Sequence, residues 1–91
     1  MKNTPENNEK KVIKDYLDIK GIFHFPIMQG LGSAKGLPDR FAIRKGKVYA
    51  IEIKSGIGKQ SEWQKWFQLN WEAEGGIYIL GGIDEVMKII K

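Results

Sequence analysis

From Val48 to Ile53 the chain is apolar at every position except Glu52. A run this short, rich in β-branched and aromatic residues, predicts a strand covered on both faces and therefore internal to a sheet. Glu52 and Lys54 are two residues apart and so share one face of that strand. Taking a carboxylate and an ammonium into a sheet interior is expensive unless something compensates them. Just before this run, Arg40 to Arg44 reads as a second strand and Lys45-Gly46 as a two-residue turn. Counting outward from the turn sets Arg44 opposite Lys47 and ends with Asp39 opposite Glu52. Side chains at directly opposed positions have Cβ atoms about 4.5–5.5 Å apart. Two carboxylates at that spacing repel each other unless a cation lies between them.

The rest of the chain supplies a frame for this hairpin. Thr4-Pro5-Glu6 reads as a helix start, with Thr4 as the cap and Pro5 in the first helical position. The helix is expected to run to about Ile19, with Val12, Ile13, Tyr16, Leu17 and Ile19 as its apolar stripe and Gly21 closing it. Ile22 to Phe25 reads as a short strand stopped by Pro26. Residues 29–36 hold three glycines but lack the Gly-Lys-Ser/Thr ending of a phosphate-cradling loop. Ser61 and Gln64 form a capping box that opens a helix to about Ala73. Gly75-Gly76 ends that helix, Ile77 to Leu80 is a further strand, and Asp84 is expected to cap a last short helix carrying Val86, Met87, Ile89 and Ile90.

The element order is thus α-β-β-β-α-β-α. The strand–helix–strand unit from Val48 to Leu80 calls for a right-handed crossover between parallel strands. An α/β fold follows, with a mixed β-sheet flanked by helices on both faces, in a single domain over residues 1–91. There is no cysteine, which excludes a disulfide framework and a cysteine-rich zinc site. No stretch of 18 apolar residues is present, so no membrane span is expected, and the polar N-terminal segment carries no visible signal peptide. The expected setting is intracellular, in the cytoplasm or nucleoid of a bacterial cell, with host or virus as the source. Lys and Arg total 15 against 11 Asp and Glu, a formal charge of +4 that mildly favours a polyanionic partner.

The Asp39–Glu52–Lys54 group is suited to hydrolysing phosphodiesters. Water attacks a phosphodiester slowly because it is a weak nucleophile and negative charge accumulates at phosphorus and on the leaving oxygen. A magnesium ion relieves both difficulties, and it prefers hard oxygen ligands. Asp39 and Glu52 offer carboxylate oxygens and Ile53 a backbone carbonyl. Lys54 is then placed to position or deprotonate the attacking water, or to offset phosphate charge. Taken singly, Asp39 is also an ordinary turn residue after Pro38, and Glu52 with Lys54 an ordinary solvated pair. Together, within an apolar strand, those bland readings weaken.

Gly36-Leu37-Pro38-Asp39, a gap of 12 residues, and then Glu52-Ile53-Lys54 resembles the PD-(D/E)xK nuclease signature. The N-terminal helix with its glutamates, the Glu-Ile-Lys-Ser motif and Ser61-Glu62-Trp63-Gln64 opening the next helix resemble the virus-type replication-repair nuclease (VRR-NUC) branch over nearly the whole chain. The resemblance implies a restriction-endonuclease-like fold and Mg²⁺-dependent DNA cleavage, with Mn²⁺ able to substitute. It also implies a homodimer acting on branched DNA such as four-way junctions. By the same likeness Asp39, Glu52 and Lys54 take the catalytic positions, Gln64 contacts the metal water or phosphate, and a first-helix glutamate approaches the metal. Glu9, on the same side of its helix as Val12 and Ile13, is favoured over Glu6. The namesake Val-Arg-Arg stretch is missing, and Arg44 is given no role.

Other candidates are weaker. Lys35, Lys59 and Lys65, with Ser33 in the glycine-rich loop, flank the expected site as contacts for DNA phosphates. His24 more commonly serves as a hydrogen-bonded strand residue than as a substrate contact. Trp63, Trp66, Phe67 and Trp71 recur at helical spacing and are suited to the core, to a dimer interface or to stacking on bases. A nucleic-acid-binding module that does not cut is the main alternative function, and a purely structural oligomerisation subunit is a third.

Overall fold

The computed structural model describes residues 4–28, 30, 34–56 and 58–91. Its elements follow the order α1 (Pro5–Ile19), β1 (Phe23–Pro26), β2 (Arg40–Arg44), β3 (Lys47–Ile53), α2 (Glu62–Ala73), β4 (Ile77–Gly81) and α3 (Ile83–Ile89). The four strands form one sheet in the order β1-β2-β3-β4. β1 and β2 are antiparallel, as are β2 and β3, whereas β3 and β4 are parallel. Among the described residues no helix is long and apolar enough to cross a membrane.

The β2–β3 hairpin has the register its short turn demands, with Arg44 opposite Lys47 and Arg40 opposite Ile51. Lys45 and Gly46 both adopt positive φ, 51° and 82°, as a turn matched to the twist of its strands requires. β3 is internal, and its alternating side chains divide the molecule. Tyr49, Ile51 and Ile53 join Ala42 and Ile79 on one side, where Ile13 and Leu17 of α1, Val86 of α3 and Ile90 just after it close the main core. Full burial of each such aliphatic side chain stabilises the fold by about 1.5–3 kcal/mol. Ala50 and Glu52 face the other side, where Phe41 stacks on Trp71 and Phe67 lies against Tyr78.

Several local expectations need correction. Pro26 belongs to β1 instead of stopping it, paired with Arg40. β1 is an edge strand, so its proline can leave one ladder position without a donor. The α1 stripe is narrower than its sequence suggests, because Val12 is 46 % and Ile19 85 % exposed. Ile13 and Leu17 are the fully buried residues of α1, and the partly buried Tyr16 packs against the core with its hydroxyl donating to the Ile90 carbonyl at 2.7 Å. Gly82, not Asp84, precedes α3, and Asp84 lies in the helix's first turn. The acceptor for Ile83 N–H comes instead from far away in sequence, the Glu9 carboxylate at 2.6 Å.

Gly36 is where backbone freedom and close approach coincide. Its φ is +81°, and a Cβ there would run into the backbone carbonyl of Trp63 in the first turn of α2. Gly21, with φ +67°, has open space around it. Gly21→Ala therefore carries the left-handed backbone penalty alone, about 1–2 kcal/mol. Gly36→Ala adds a backbone collision that neither partner can relieve, and is expected to cost at least about 3 kcal/mol. Urea denaturation of the two variants beside the parent chain measures the difference, and equal losses would contradict it.

Candidate active site

Glu52 is placed by the strand that carries it. Even-numbered positions of β3 face α2, and at Glu52 this leaves a carboxyl with only 4 % of its surface exposed. Its Oε2 lies 3.7 Å from the Lys54 ammonium, while Oε1 is buried and makes no hydrogen bond. Buried polar atoms are nearly always paired, so an orphaned carboxylate oxygen marks an unmet need for a donor or a cation.

Asp39 comes to Glu52 by a route slightly different from simple register. The ladder ends at Arg40 opposite Ile51. Beyond it the Asp39 N–H donates to the Ile51 carbonyl at 2.9 Å, and the Asp39 carboxylate accepts from the Ile53 N–H at 2.7 Å. Asp39 thus grips both neighbours of Glu52, and the two carboxyl groups come within hydrogen-bonding reach of each other. Burial, and then the Asp39 charge, push the Glu52 carboxyl from an ordinary 4.5 up to about 7, with Lys54 opposing the rise. The arrangement suits a divalent cation: two convergent acids, one unsatisfied oxygen, and charge that desolvation makes costly. Among the described residues no third acidic or histidine side chain completes a metal cluster.

The glutamates of α1 divide their tasks. Glu9, favoured from sequence, has its carboxylate on the Ile83 N–H, against Gly82, and so links α1 to the start of α3. Glu6 is the α1 acid whose charge acts on Glu52. One turn on, Lys10 places its ammonium 3.8 Å from Glu6 and 3.6 Å from the Asp39 Oδ1. Sequence reading passed over Lys10. The available signal was the i,i+4 spacing from Glu6, which places the two on one helix face.

Gln64 is committed to the capping box. Its Oε1 accepts from the Ser61 N–H at 2.8 Å and its own N–H donates to the Ser61 Oγ at 3.1 Å. His24 is enclosed between two charged partners: Nε2 donates to Asp18 at 2.6 Å, and Nδ1 accepts from Arg40 at 2.7 Å. Lys14 and His24 together hold the Asp18 carboxyl below its ordinary value. Lys35 lies 5.3 Å from the centre of the Trp63 ring, Lys65 is 3.9 Å from Glu62, and Lys59 is exposed in the loop after β3. Ser33 lies outside the described residues. An open cavity of about 440 Å³ adjoins Lys54, walled by Ser55, Glu9 and the residues leading into α3.

A solved structure described as a "VRR_NUC domain" matches this architecture with a TM-score of 0.80, covering 98 % of this chain and 100 % of the other at 18 % sequence identity. The likeness takes in the mixed four-stranded sheet and all three helices, so the two share the restriction-endonuclease-like fold. Neither a family model nor a curated protein matches the chain.

The raised Glu52 carboxyl has a thermodynamic consequence. A carboxyl that holds its proton more tightly when folded stabilises the protein fully below the unfolded value near 4.5, and that contribution is lost as pH rises through about 7. At about 1.4 kcal/mol per pKa unit the loss approaches about 3 kcal/mol. In EDTA the parent chain should lose Tm between pH 5 and pH 7.5. Glu52→Gln should flatten that fall and melt roughly 10 °C higher than the parent at pH 8. Parallel Tm-against-pH curves for the two proteins would remove the assignment.

Proposed function

We propose that this chain is a Mg²⁺-dependent endonuclease that hydrolyses DNA phosphodiester bonds, with Mn²⁺ able to replace Mg²⁺. The carrying observation is the buried, unpaired Glu52 Oε1 beside Asp39 and Lys54. A chain that only bound nucleic acid would gain nothing from carboxylates where phosphate must approach, since like charges repel.

Asp39, Glu52 and the Ile53 carbonyl are the oxygens that would hold the cation. When bound, it supplies charge stabilisation at the phosphate and lowers the pKa of water. The chain's own part is positional. The Ile53 N–H fixes the rotamer of Asp39, so its acceptor oxygens are set before substrate arrives. Lys54, 3.7 Å from Glu52, is restrained by that acid and orients the attacking water or neutralises a phosphate oxygen. Lys10 would give up its hold on Asp39 to the cation and turn its ammonium to the DNA backbone. Glu6 completes the acidic surround, and Gln64 keeps the first turn of α2 beside the site.

Branched DNA is the proposed substrate, cut by a homodimer that presents two such centres. A surface available for pairing is the exposed flank of edge strand β1, where Phe23, Phe25 and Ile43 leave apolar area open.

Lys54→Ala is expected to slow cleavage of a labelled four-way junction at least about 100-fold in Mg²⁺, leaving junction affinity within about twofold. EDTA should abolish cutting by the parent chain and Mn²⁺ restore it. Full activity in Lys54→Ala would remove that residue's role, and a junction bound but never cut in either metal would identify a binding module instead.

A further inference from the structure

The three tryptophans of α2 are used in different ways. Trp71 is a packing residue: its indole stacks on Phe41 and Phe67 and its N–H donates to the Ile77 carbonyl at 2.9 Å. Trp63 and Trp66 are 52 % and 58 % exposed, touching edge-to-face with ring centres 6.5 Å apart. We propose that Trp63, with the Lys35 ammonium over its ring, is a stacking site for an unpaired nucleobase of the DNA strand that passes through the site. The inference rests on the nuclease reading for its substrate and extends it to what the enzyme recognises next to the cut.

The Trp63 backbone lies against Gly36, at a contact only glycine permits. Gly36 is three residues before Asp39, so chain geometry keeps the two within about 11 Å. At a stacked rise of about 3.4 Å per nucleotide, that is a reach of about three nucleotides. The Ser61–Gln64 capping box holds the backbone that carries Trp63, and the Trp66 ring packs against the indole, which reduces the side-chain entropy left to lose on binding.

The Lys35 ammonium stands 5.3 Å from the Trp63 ring centre. An apolar partner covering the indole would strip water from that ammonium without compensation. A nucleotide meets both demands: its base takes the ring face from the ammonium, and its phosphate takes the ammonium. A paired base is already covered on both faces within a duplex, so the site favours strands that are splayed or single.

The test measures binding and cutting separately. In EDTA, fluorescence anisotropy with a labelled single-stranded 20-mer should show Trp63→Leu binding about tenfold more weakly or worse, with Trp63→Phe near the parent. Affinity for the matching duplex should change by less than about twofold in both variants. Unchanged single-strand binding by Trp63→Leu would overturn the proposal. So would a loss that coincides, by light scattering, with dissociation of a two-copy assembly, which would assign the surface to self-contact. Junction cleavage by the parent chain in Mg²⁺ is scored alongside. A parent that never cuts but keeps its Trp63-dependent single-strand preference refutes the nuclease reading while supporting the stacking site. A parent that cuts beside an unaffected Trp63→Leu refutes the stacking site alone.

Discussion

Glu52 is held almost out of water in a strand whose neighbouring positions are hydrocarbon, and the elements around it are arranged to make that tolerable without neutralising it. Lys54 is near one oxygen, but the other has no partner, and Asp39 adds a second negative group. Desolvation and like charge act in the same direction, raising the proton affinity of Glu52. Such a cluster lowers stability near neutral pH, a cost characteristic of sites whose groups are preset for a ligand.

The sheet keeps that cost separate from the interactions that hold the fold. On the side of α1 and α3, Ile13, Leu17, Ile51, Ile53, Ile79, Val86 and Ile90 form a continuous hydrocarbon core. On the side of α2, no residue of the helix is fully buried, and the packing is aromatic and polar. The alternation of β3 makes this possible, since one strand sends isoleucines to one side and the acid to the other. Changes on the α2 side therefore act on the site with less effect on the main core.

The hairpin was legible from sequence because a two-residue turn leaves one register, and α2 because Ser61 and Gln64 mark its start in a purely local pattern. Less was legible where a group's partner lies far along the chain. Nothing near Glu9 reveals that its carboxylate serves the Ile83 N–H, 74 residues away. The same holds for Asp84, whose expected capping role was already filled. Asp39 fell between the two cases. Its proximity to Glu52 followed from counting, but its bonds to Ile51 and Ile53 depend on Asp39 lying just outside the ladder, which begins at Arg40. The exposure of Val12 and Ile19 reflects how much sheet α1 covers, a quantity that helical periodicity does not contain.

The link between the first and last helices has an effect on timing. The contacts of Glu9 with Ile83 and of Tyr16 with Ile90 each span 74 residues, and α1 also carries Glu6 and Lys10 to the acidic pair. On a ribosome the β2–β3 hairpin can form while α3 is still unsynthesised, but α1 gains these anchors only after the final turn has emerged. The acidic pair is thus fully enclosed only once α3 has been made, and until then both carboxylates lack the anchored α1 that completes their surroundings.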